Sequence, residues 1–285
     1  MSRSRSGLGL LLALLCLAAA PNRQELGSHP LWDDGKAEVS LYDVEEPLYG
    51  TSRRFEARMI VVKEDLRLDT HVKSDRGPIP GETREVLKLN HIRLIPTGTY
   101  DYHQMLSAYL ERDSLRPVKL SMAHFESCGI TFVELLTGAG SLKQVSHSYW
   151  DGEADQDLSI PFAREDLLAD ALPLQLRGMA FSRTVPLAVN VLPSRIGGRV
   201  AKPALVPMTL TFKPAQRLEV PAGAFDAVEV VLQGPEGKGR FFFDSAFPYL
   251  LIKMETAAGG VYRLRKSLRL DYWNHHDPGD EKLLR

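Results

Sequence analysis

Histidine is the residue type in this chain best suited to metal binding or proton transfer, and the sequence contains eight histidines. None has the two-histidine helical spacing that zinc enzymes use. The densest cluster, His275-His276-Asp277, follows the last predicted strand, and adjacent side chains of an extended chain point apart. We therefore predict no metal site and no cofactor. A metal-dependent enzyme would instead need several scattered histidines to meet in one cleft, among them His103, His124, His147 and His275.

Carboxylates alternate through one predicted loop in a pattern that could chelate calcium, an ion that prefers oxygen ligands. They are Asp151, Glu153, Asp155 and Asp157. The loop lacks the glycine and the closing glutamate that a calcium-binding helix–loop–helix places at fixed positions. The pattern therefore favours a solvated acidic turn over a calcium site.

Nucleophilic catalysis has no recognisable motif, since the sequence contains no Gly-x-Ser-x-Gly elbow. Ser146-His147-Ser148 lies on a predicted strand, where sequence neighbours face opposite sides. Gly197-Gly198 lies in a basic loop with Arg195, Arg199 and Lys202, but no phosphate-binding pattern surrounds it. We predict that the protein is not an enzyme and assign no catalytic or cofactor-binding residue. An uncharacterised hydrolase or metal-dependent enzyme is the second alternative.

The charge balance excludes one large class of partners. Lysine and arginine number 35 and aspartate and glutamate 36, a formal net charge of −1. Nucleic-acid binding needs a basic face to meet phosphate, and this composition offers none. Beyond the N-terminal region no segment approaches the length of a membrane-spanning helix, so contact with a membrane is expected to be peripheral at most.

The N-terminus has the organisation of a bacterial secretory signal peptide. Arg3 and Arg5 precede an uncharged apolar run over Leu8–Ala20, which is too short to span a bilayer and ends in small residues. Pro21 disfavours cleavage after Ala20, so we place the signal peptide at 1–18. The mature chain is expected in the periplasm or associated with the outer membrane.

Each of the two cysteines carries its own prediction. Cys16 is a candidate for lipidation, although Leu15 stands where a lipoprotein signal has a small residue. Cleavage after Ala18 would leave Cys128 as the only cysteine, so the mature domain can form no internal disulfide. We interpret Cys128 as a small buried side chain.

Apolar and polar residues alternate with period two over most of the chain, as in sheets with one apolar face. Short turn signals at 138–140, 234–237 and 257–260 separate strand-like runs, and 225–272 is predicted to form a four-strand meander. The clearest strand sets the following residues on one apolar face: Tyr262, Leu264, Leu268, Leu270 and Tyr272. The pattern predicts a mainly β fold with one antiparallel sheet.

One stretch has helical spacing, from a possible N-cap at Ser159 to Asp170, with Pro173 ending the helix. Residues 99–110 suit either a helix or a strand, and we favour a strand because their flanks are strands. A boundary at 193–207 is conceivable, but one continuous sheet is favoured. The predicted organisation is a linker at 19–36, a single β domain at 37–273 and a polar tail at 274–285.

The run Leu218–Val230 resembles a motif of the exported bacterial domain-of-unknown-function family 3108 (DUF3108). Its members carry a valine-proline-alanine-glycine-x-phenylalanine-aspartate segment, matched here by Pro221, Gly223, Phe225 and Asp226. Phe241-Phe242-Phe243-Asp244, Phe247-Pro248-Tyr249 and Lys253-Met254-Glu255-Thr256 look like the strands that follow it, and Leu174-Gln175-Leu176-Arg177-Gly178 looks like an earlier helix-to-strand passage. The resemblance is clearest over 205–265.

The resemblance implies a fold similar to the periplasmic lipoprotein carriers: a strongly curved antiparallel sheet, shaped as a half-open barrel, with one short helix. The family motif is structural, because proline and glycine set a turn and Phe225 enters the core. The leading functional hypothesis is an envelope protein that binds a lipid or another hydrophobic small molecule, through residues the sequence does not identify. The alternative is a non-catalytic structural or protein-interaction module.

Overall fold

The computed structural model describes residues 23–179, 181–235 and 237–285. The predicted signal peptide, Cys16 and the cleavage site lie outside them. Within the described residues, sixteen strands form one sheet, in which only the pairing of two short segments is parallel. The prediction of a mainly β fold with one large antiparallel sheet is confirmed.

The sheet contains two runs of strands along the chain. The first run comprises β1 (Ala37–Leu48), β2 (Thr51–Arg67), β3 (Thr83–Pro96), β4 (Asp101–Glu111), β5 (Pro117–Phe125), β6 (Ile130–Thr137), β7 (Ser141–Ser148) and β8 (Gln156–Pro161). The second comprises β9 (Leu167–Leu168), β10 (Leu187–Leu192), β11 (Val206–Phe212), β12 (Gln216–Val220), β13 (Gly223–Gly234), β14 (Gly237–Asp244), β15 (Leu251–Glu255) and β16 (Val261–Leu270). β4 confirms the strand predicted over 99–110, and β13–β16 confirm the predicted meander.

The strands follow the order β8-β7-β6-β5-β4-β3-β2-β1-β16-β15-β14-β13-β11-β10-β9, with β12 paired to β13 outside this path. β8 and β9 stand at opposite ends, and no pairing joins them among the described residues, so the sheet stays open. One apolar core includes side chains from both runs, such as Leu120 of β5 and Phe243 of β14. Because both runs contribute the same face of the sheet to one core, the sheet must curve around that core. The predicted curvature of the sheet is therefore confirmed.

The concave face is covered by a short segment that we call the plug, residues 167–179. It contains β9, a 3-10 helix (Ala169–Ala171), α2 (Leu172–Gln175) and a second 3-10 helix (Leu176–Gly178). Leu172, Leu174 and Leu176 are almost completely buried. The segment is irregular but apolar, and burial in the curved sheet stabilises it where four helical residues alone would not hold.

The helix predicted from Ser159 to Asp170 is wrong in position. Ser159 belongs to β8, and the helix begins at Leu172. Pro173 lies in its first turn. The backbone N–H groups of a first turn have no acceptor within the helix, so the missing N–H of proline costs no hydrogen bond there. The proline therefore begins this helix and does not end one.

The linker predicted over 19–36 is folded from Arg23 onward, as α1 (Arg23–Ser28) and a 3-10 helix (Pro30–Asp33). Leu26 and Trp32 are buried in the main core, and the Trp32 indole N–H donates to the Leu26 carbonyl at 2.7 Å. Two large apolar side chains hold an otherwise polar segment against the sheet. The residues that were expected to tether the domain instead form part of it.

A buried ion pair joins the plug to the sheet. Arg177 donates to both carboxylate oxygens of Glu38 in β1, at 2.8 and 2.9 Å, and to the Pro248 carbonyl at 2.9 and 2.7 Å. The Arg177 side chain is only 2% exposed. Its guanidinium also lies 5.7 Å from the centre of the Trp32 ring. One side chain thus connects the second 3-10 helix of the plug, β1, the loop before β15 and the N-terminal segment.

A β-bulge divides β16 into two parts and overturns the single apolar face predicted for 262–272. The register of β1 and β16 shifts between Leu41/Tyr42, where Leu41 pairs with Lys266 and Tyr42 with Leu264. The extra residue reverses the direction of later side chains. Tyr262 and Leu264 face the main core, whereas the rest pack on the convex face in a second cluster: Leu268, Leu270 and Tyr272, with Ala37, Val39, Ile60 and Val62.

The C-terminal tail folds back over that second cluster. It contains 3-10 helices at Tyr272–Asn274 and Asp280–Leu284, and Leu284 packs against the cluster. The Lys266 ammonium group donates to the carbonyls of Leu283 and Arg285, at 3.0 and 2.7 Å. The tail is polar, as predicted, but it covers an apolar part of the convex face.

We expect Glu38→Gln to lower the free energy of unfolding by about 3–5 kcal/mol, because it leaves the Arg177 charge buried without a counter-charge. Urea unfolding measures this change. The control is Glu45→Gln, which removes an exposed pair with Arg54 at 3.9 Å and should cost less than about 1 kcal/mol. Equal losses in the two variants would contradict the central role of this ion pair.

Candidate functional site

A cavity of about 360 Å³ lies between the plug and the concave face of the second run of strands. Most of its wall is apolar, formed by side chains from the sheet and the plug. These apolar residues are Leu172, Pro173, Val191, Pro193, Ile196, Val206, Met208, Leu232, Phe241, Met254 and Tyr262. The main core is filled by the plug under the first run of strands, whereas this part of the concave face retains an open volume.

The cavity reaches the surface beside the turn between β15 and β16. Ala257 and Ala258 of this turn are exposed and line the cavity. Gly237 and Gly239 of β14 line it as well, and glycine leaves no side chain to occupy the space. The four small residues therefore form an opening, which we call the mouth.

One side of the cavity, which we call the polar wall, carries all its charged groups. Glu46, His91, Arg93, Asp170 and Ser194 form it. Glu46 accepts a hydrogen bond from Nη2 of Arg93 at 2.5 Å. Asp170 accepts from the Ser194 hydroxyl and, at 2.6 Å, from the backbone N–H of Arg195. Glu46 also lies next to Gly260 of the turn that bears the mouth, so the polar wall begins near the opening.

Burial sets the charge state of the polar wall. Desolvation lowers the pKa of His91 to about 3, assisted by the nearby positive charge of Arg93, so the imidazole is neutral at physiological pH. Desolvation raises the pKa of the Asp170 carboxyl, against the hydrogen bonds it accepts from Arg195 and Ser194. The ring of His91 meets the ring of Tyr262 edge to face at 5.6 Å. A buried neutral imidazole and a buried guanidinium thus stand side by side.

The polar wall continues into a buried polar row across neighbouring strands. Arg93 of β3 pairs with Gln104 of β4, Gln104 with His124 of β5, and His124 with Thr131 of β6. Gln104 Nε2 lies 3.0 Å from His124 Nδ1. Desolvation lowers the pKa of His124. Polar side chains therefore cross one end of a concave face that is apolar elsewhere.

The loop between β10 and β11 covers this row. Thr131 donates to the Gly198 carbonyl at 2.8 Å, and Gln144 Nε2 donates to the Ala201 carbonyl at 3.1 Å. Arg195 is buried, and Nη1 of its guanidinium shares the Ala201 carbonyl at 3.3 Å. Several buried polar atoms here have no partner among the described residues: Nε of Arg93, Nε and Nη2 of Arg195, Nε2 of His91, Oγ of Ser146 and Oε1 of Gln104 and Gln144.

The four histidines that a metal-dependent enzyme would need do not converge. His124 faces the concave side, whereas His103 stacks on Phe125 on the convex side and His147 is exposed. His275 lies in the tail, and its Nε2 is within hydrogen-bond distance of an Asp271 carboxylate oxygen, at 3.3 Å. Among residues 23–179, 181–235 and 237–285, no three His, Cys, Asp or Glu side chains are grouped so that they could hold a metal ion.

Three of the four carboxylates of the acidic loop have separate partners. Glu153 accepts from the Ser148 hydroxyl at 2.6 Å and from the Val200 N–H at 3.0 Å. Desolvation raises its pKa, but these bonds and the charge of Arg199 outweigh it, so the pKa is lowered. Asp155 pairs with His147 at 3.0 Å, and Asp157 with Lys143 at 2.9 Å. Glu153 therefore anchors the loop that covers the polar row.

The remaining sequence candidates lie apart from the cavity. Ser146 is buried while its neighbour His147 is exposed, as the strand prediction requires. Cys128 is exposed in the turn between β5 and β6, so its predicted burial is wrong, because the apolar strand begins only after it. Arg199 of the basic loop lies 4.0 Å from the centre of the Trp150 ring.

The family motif forms the turn between β12 and β13. Gly223 has φ of 127°, a left-handed backbone conformation that favours glycine. Phe225 is half-buried and packs against the main core, and exposed Asp226 pairs with Arg217 at 3.4 Å. Pro221 is exposed in the turn. These contacts are structural and lie outside the cavity lining.

Sequence reasoning missed the polar wall, although part of its signal was present. In β3 the alternation places Leu87, Leu89, His91, Arg93 and Ile95 on one face. His91 and Arg93 are polar residues within this apolar series, and they were the sequence signal for the polar wall. Asp170 and Ser194 reach the polar wall only through the packing of the plug, so no local sequence pattern could predict their position.

Comparison of the chain with protein-family models, with curated proteins and with solved structures finds no match. The resemblance to family 3108 therefore stays a prediction. Among the described residues, no helix has the length and apolar character needed to cross a bilayer.

His91 should make folding stability depend on pH. The unfolded chain takes up a proton below its ordinary pKa of 6.5, whereas the folded protein keeps His91 neutral down to about pH 3. Stability is therefore lost as the pH falls through this window, by up to about 1.4 kcal/mol per pH unit, and the effect is absent above it. Between about pH 6.5 and pH 5, the free energy of unfolding of the wild type should fall by up to about 2 kcal/mol more than that of His91→Gln. Urea unfolding at the two pH values measures this difference.

The control for this comparison is His147→Gln, because His147 is exposed. It should keep the pH dependence of the wild type. If the His91→Gln variant showed the same pH dependence as the wild type, the neutral buried state of His91 would be wrong.

Proposed function

We propose that this protein is an exported, non-enzymatic binding protein that holds a lipid acyl chain or another hydrophobic small molecule in the cavity beside the plug. The observation that carries the proposal is an apolar volume of about 360 Å³ that reaches the surface at the mouth. Ligand pockets in proteins span about 300–1,000 Å³ and are mostly apolar with a few polar groups. The cavity and its polar wall fit that description.

The energetic cost of the cavity supports the same function. Protein interiors are close-packed and contain few voids larger than a water molecule. Apolar surface that lines an open cavity stays in contact with water, and each Å² left unburied forgoes about 25 cal/mol of hydrophobic stabilisation. The plug fills the core under the first run of strands and leaves this volume open. Selection for stability alone would favour larger side chains at Gly239 or Ala257.

The predicted signal peptide supports a location in the bacterial envelope, in the periplasm or at the outer membrane. Lipids are the abundant apolar small molecules of that compartment. Curvature of the sheet around an apolar face is also what the resemblance to lipoprotein carriers implies. A lipid is therefore the ligand class that we place first.

A second candidate function, a structural or protein-interaction module, is favoured by an exposed row on the convex face. Leu94, Phe125, Ile130 and Tyr149 are each about half exposed or more, and they lie near one another at the ends of β3 and β5–β7. Exposed apolar patches often mark interaction surfaces. Native mass spectrometry of protein from a bacterial envelope fraction separates the two functions, since stoichiometric lipid supports the first and an unliganded mass that envelope lipids leave unchanged supports the second.

We expect Gly239→Leu to weaken the binding of a straight-chain amphiphile at least tenfold, because its side chain would occupy the cavity. A Cβ at Gly239 would meet Phe241 and the Glu255 carbonyl at ordinary contact distances of 3.5 and 3.7 Å, so the variant should fold. Isothermal titration calorimetry measures the affinity. Gly197→Leu is the matched control, since a Cβ there meets nothing within 4 Å and Gly197 does not line the cavity.

Affinity should also rise with the length of the alkyl chain. Each buried methylene contributes about 0.8 kcal/mol, which is roughly a fourfold change in Kd, until the cavity is full. Titration of a homologous series measures this slope. A flat series, or equal affinities of the two glycine variants, would contradict ligand binding in this cavity.

A further inference from the structure

The polar wall contains a buried guanidinium with unused hydrogen-bond donors. Arg93 is 6% exposed. Its guanidinium has five N–H donors, and the hydrogen bond described for it runs from Nη2 to Glu46. Nε has no acceptor among the described residues. A buried donor without an acceptor is rare in folded proteins, so this group has capacity for a further partner.

The two carboxylates of the polar wall are already engaged. Glu46 accepts from Arg93, and Asp170 accepts from the Ser194 hydroxyl and from the backbone N–H of Arg195. The Arg195 guanidinium also interacts favourably with the Asp170 charge. Each acid thus has a basic neighbour, and the unused charged donors of the wall are on Arg93, beside the unpartnered Nε2 of His91.

The unused donors of Arg93 lie where they could bind the polar end of an amphiphile. Glu46, the partner of Arg93, borders the turn that bears the mouth. The apolar lining extends away from it along β10, β11 and β14, through Val191, Met208 and Phe241. A ligand with its polar end at Arg93 would place its chain in the apolar part of the cavity.

We infer that the ligand is an anionic amphiphile with a carboxylate end, such as a free fatty acid, and that Arg93 binds this carboxylate at the mouth. The planar guanidinium matches the two oxygens of a carboxylate, a geometry that an alcohol cannot use fully. The inference rests on the proposed function and names its ligand class. Glu46 then acts as a competitor, because it holds one donor of Arg93 when the cavity is empty.

The test compares decanoate with decanol, which share the length of their alkyl chain, by isothermal titration calorimetry on the purified protein. Decanoate should bind wild type at least about tenfold more tightly than decanol, because a hydrogen bond to a charged group is worth about that much. Arg93→Gln should remove this preference, so that the ratio of the two affinities falls to about one.

Glu46→Gln is the decisive companion variant. It removes the competing charge and frees Arg93, so decanoate should bind several-fold more tightly than to wild type. Both substitutions break the same ion pair. A purely structural role for the pair would therefore move both variants in the same direction, whereas carboxylate binding predicts opposite directions. If Arg93→Gln does not fold, the comparison of Glu46→Gln with wild type still decides.

The outcomes separate this inference from the proposed function. Equal binding of decanoate and decanol to wild type, or weaker decanoate binding by Glu46→Gln, would overturn the carboxylate assignment and leave the cavity as a binding site for neutral ligands. Failure of both amphiphiles to bind would overturn the proposed function and the inference together.

Discussion

The position of the plug depends on the ion pair between Arg177 and Glu38. A guanidinium this deeply buried is tolerated only when a carboxylate and further acceptors surround it, and here the Pro248 carbonyl completes the set. The pair fixes the end of the plug against β1, near the middle of the sheet. Since the plug forms one wall of the cavity, the same interaction determines where the concave face is filled and where it stays open. Trp32, packed beside the guanidinium, brings the N-terminal segment into this arrangement.

The concave face combines two kinds of surface. Under the first run of strands it is a packed core that ends in a buried polar row, and under the second run it is an apolar wall around an open volume. Asp170 belongs to the plug and contacts Ser194 at the end of β10, so it joins the two regions. Arg93 takes part in both, as a member of the row and of the cavity wall. A ligand head group at Arg93 would therefore lie at the boundary between the packed core and the open cavity.

Period-two alternation was sufficient to predict a mainly β fold with one antiparallel sheet, because successive side chains of a strand lie on opposite faces, but it did not predict β8. It failed where one local signal had two meanings. Pro173 could end one helix or begin another, and only the packing of the plug decides between them. An inserted residue near Arg265 reverses the face of Leu268, which alternation cannot reveal. Of the cavity, the polar residues on the apolar face of β3 were visible in the sequence, whereas Asp170 arrives through tertiary structure alone.

The pairing of β1 with β16 has a consequence for how the chain can fold. The first and last strands meet in the interior of the sheet, where the hydroxyls of Ser40 and Ser267 lie 3.0 Å apart. Local hairpins can form early within each run, but the two runs join through a contact that spans nearly the whole sequence, and such contacts form slowly. A chain synthesised from its N-terminus must therefore keep the edges of β1 and β15 that face β16 unpaired until its final strand is made. Pairing of β16 with β1 and β15 is therefore the step that joins the two runs into one sheet. Loss of β16 would leave two separate half-sheets with exposed edges.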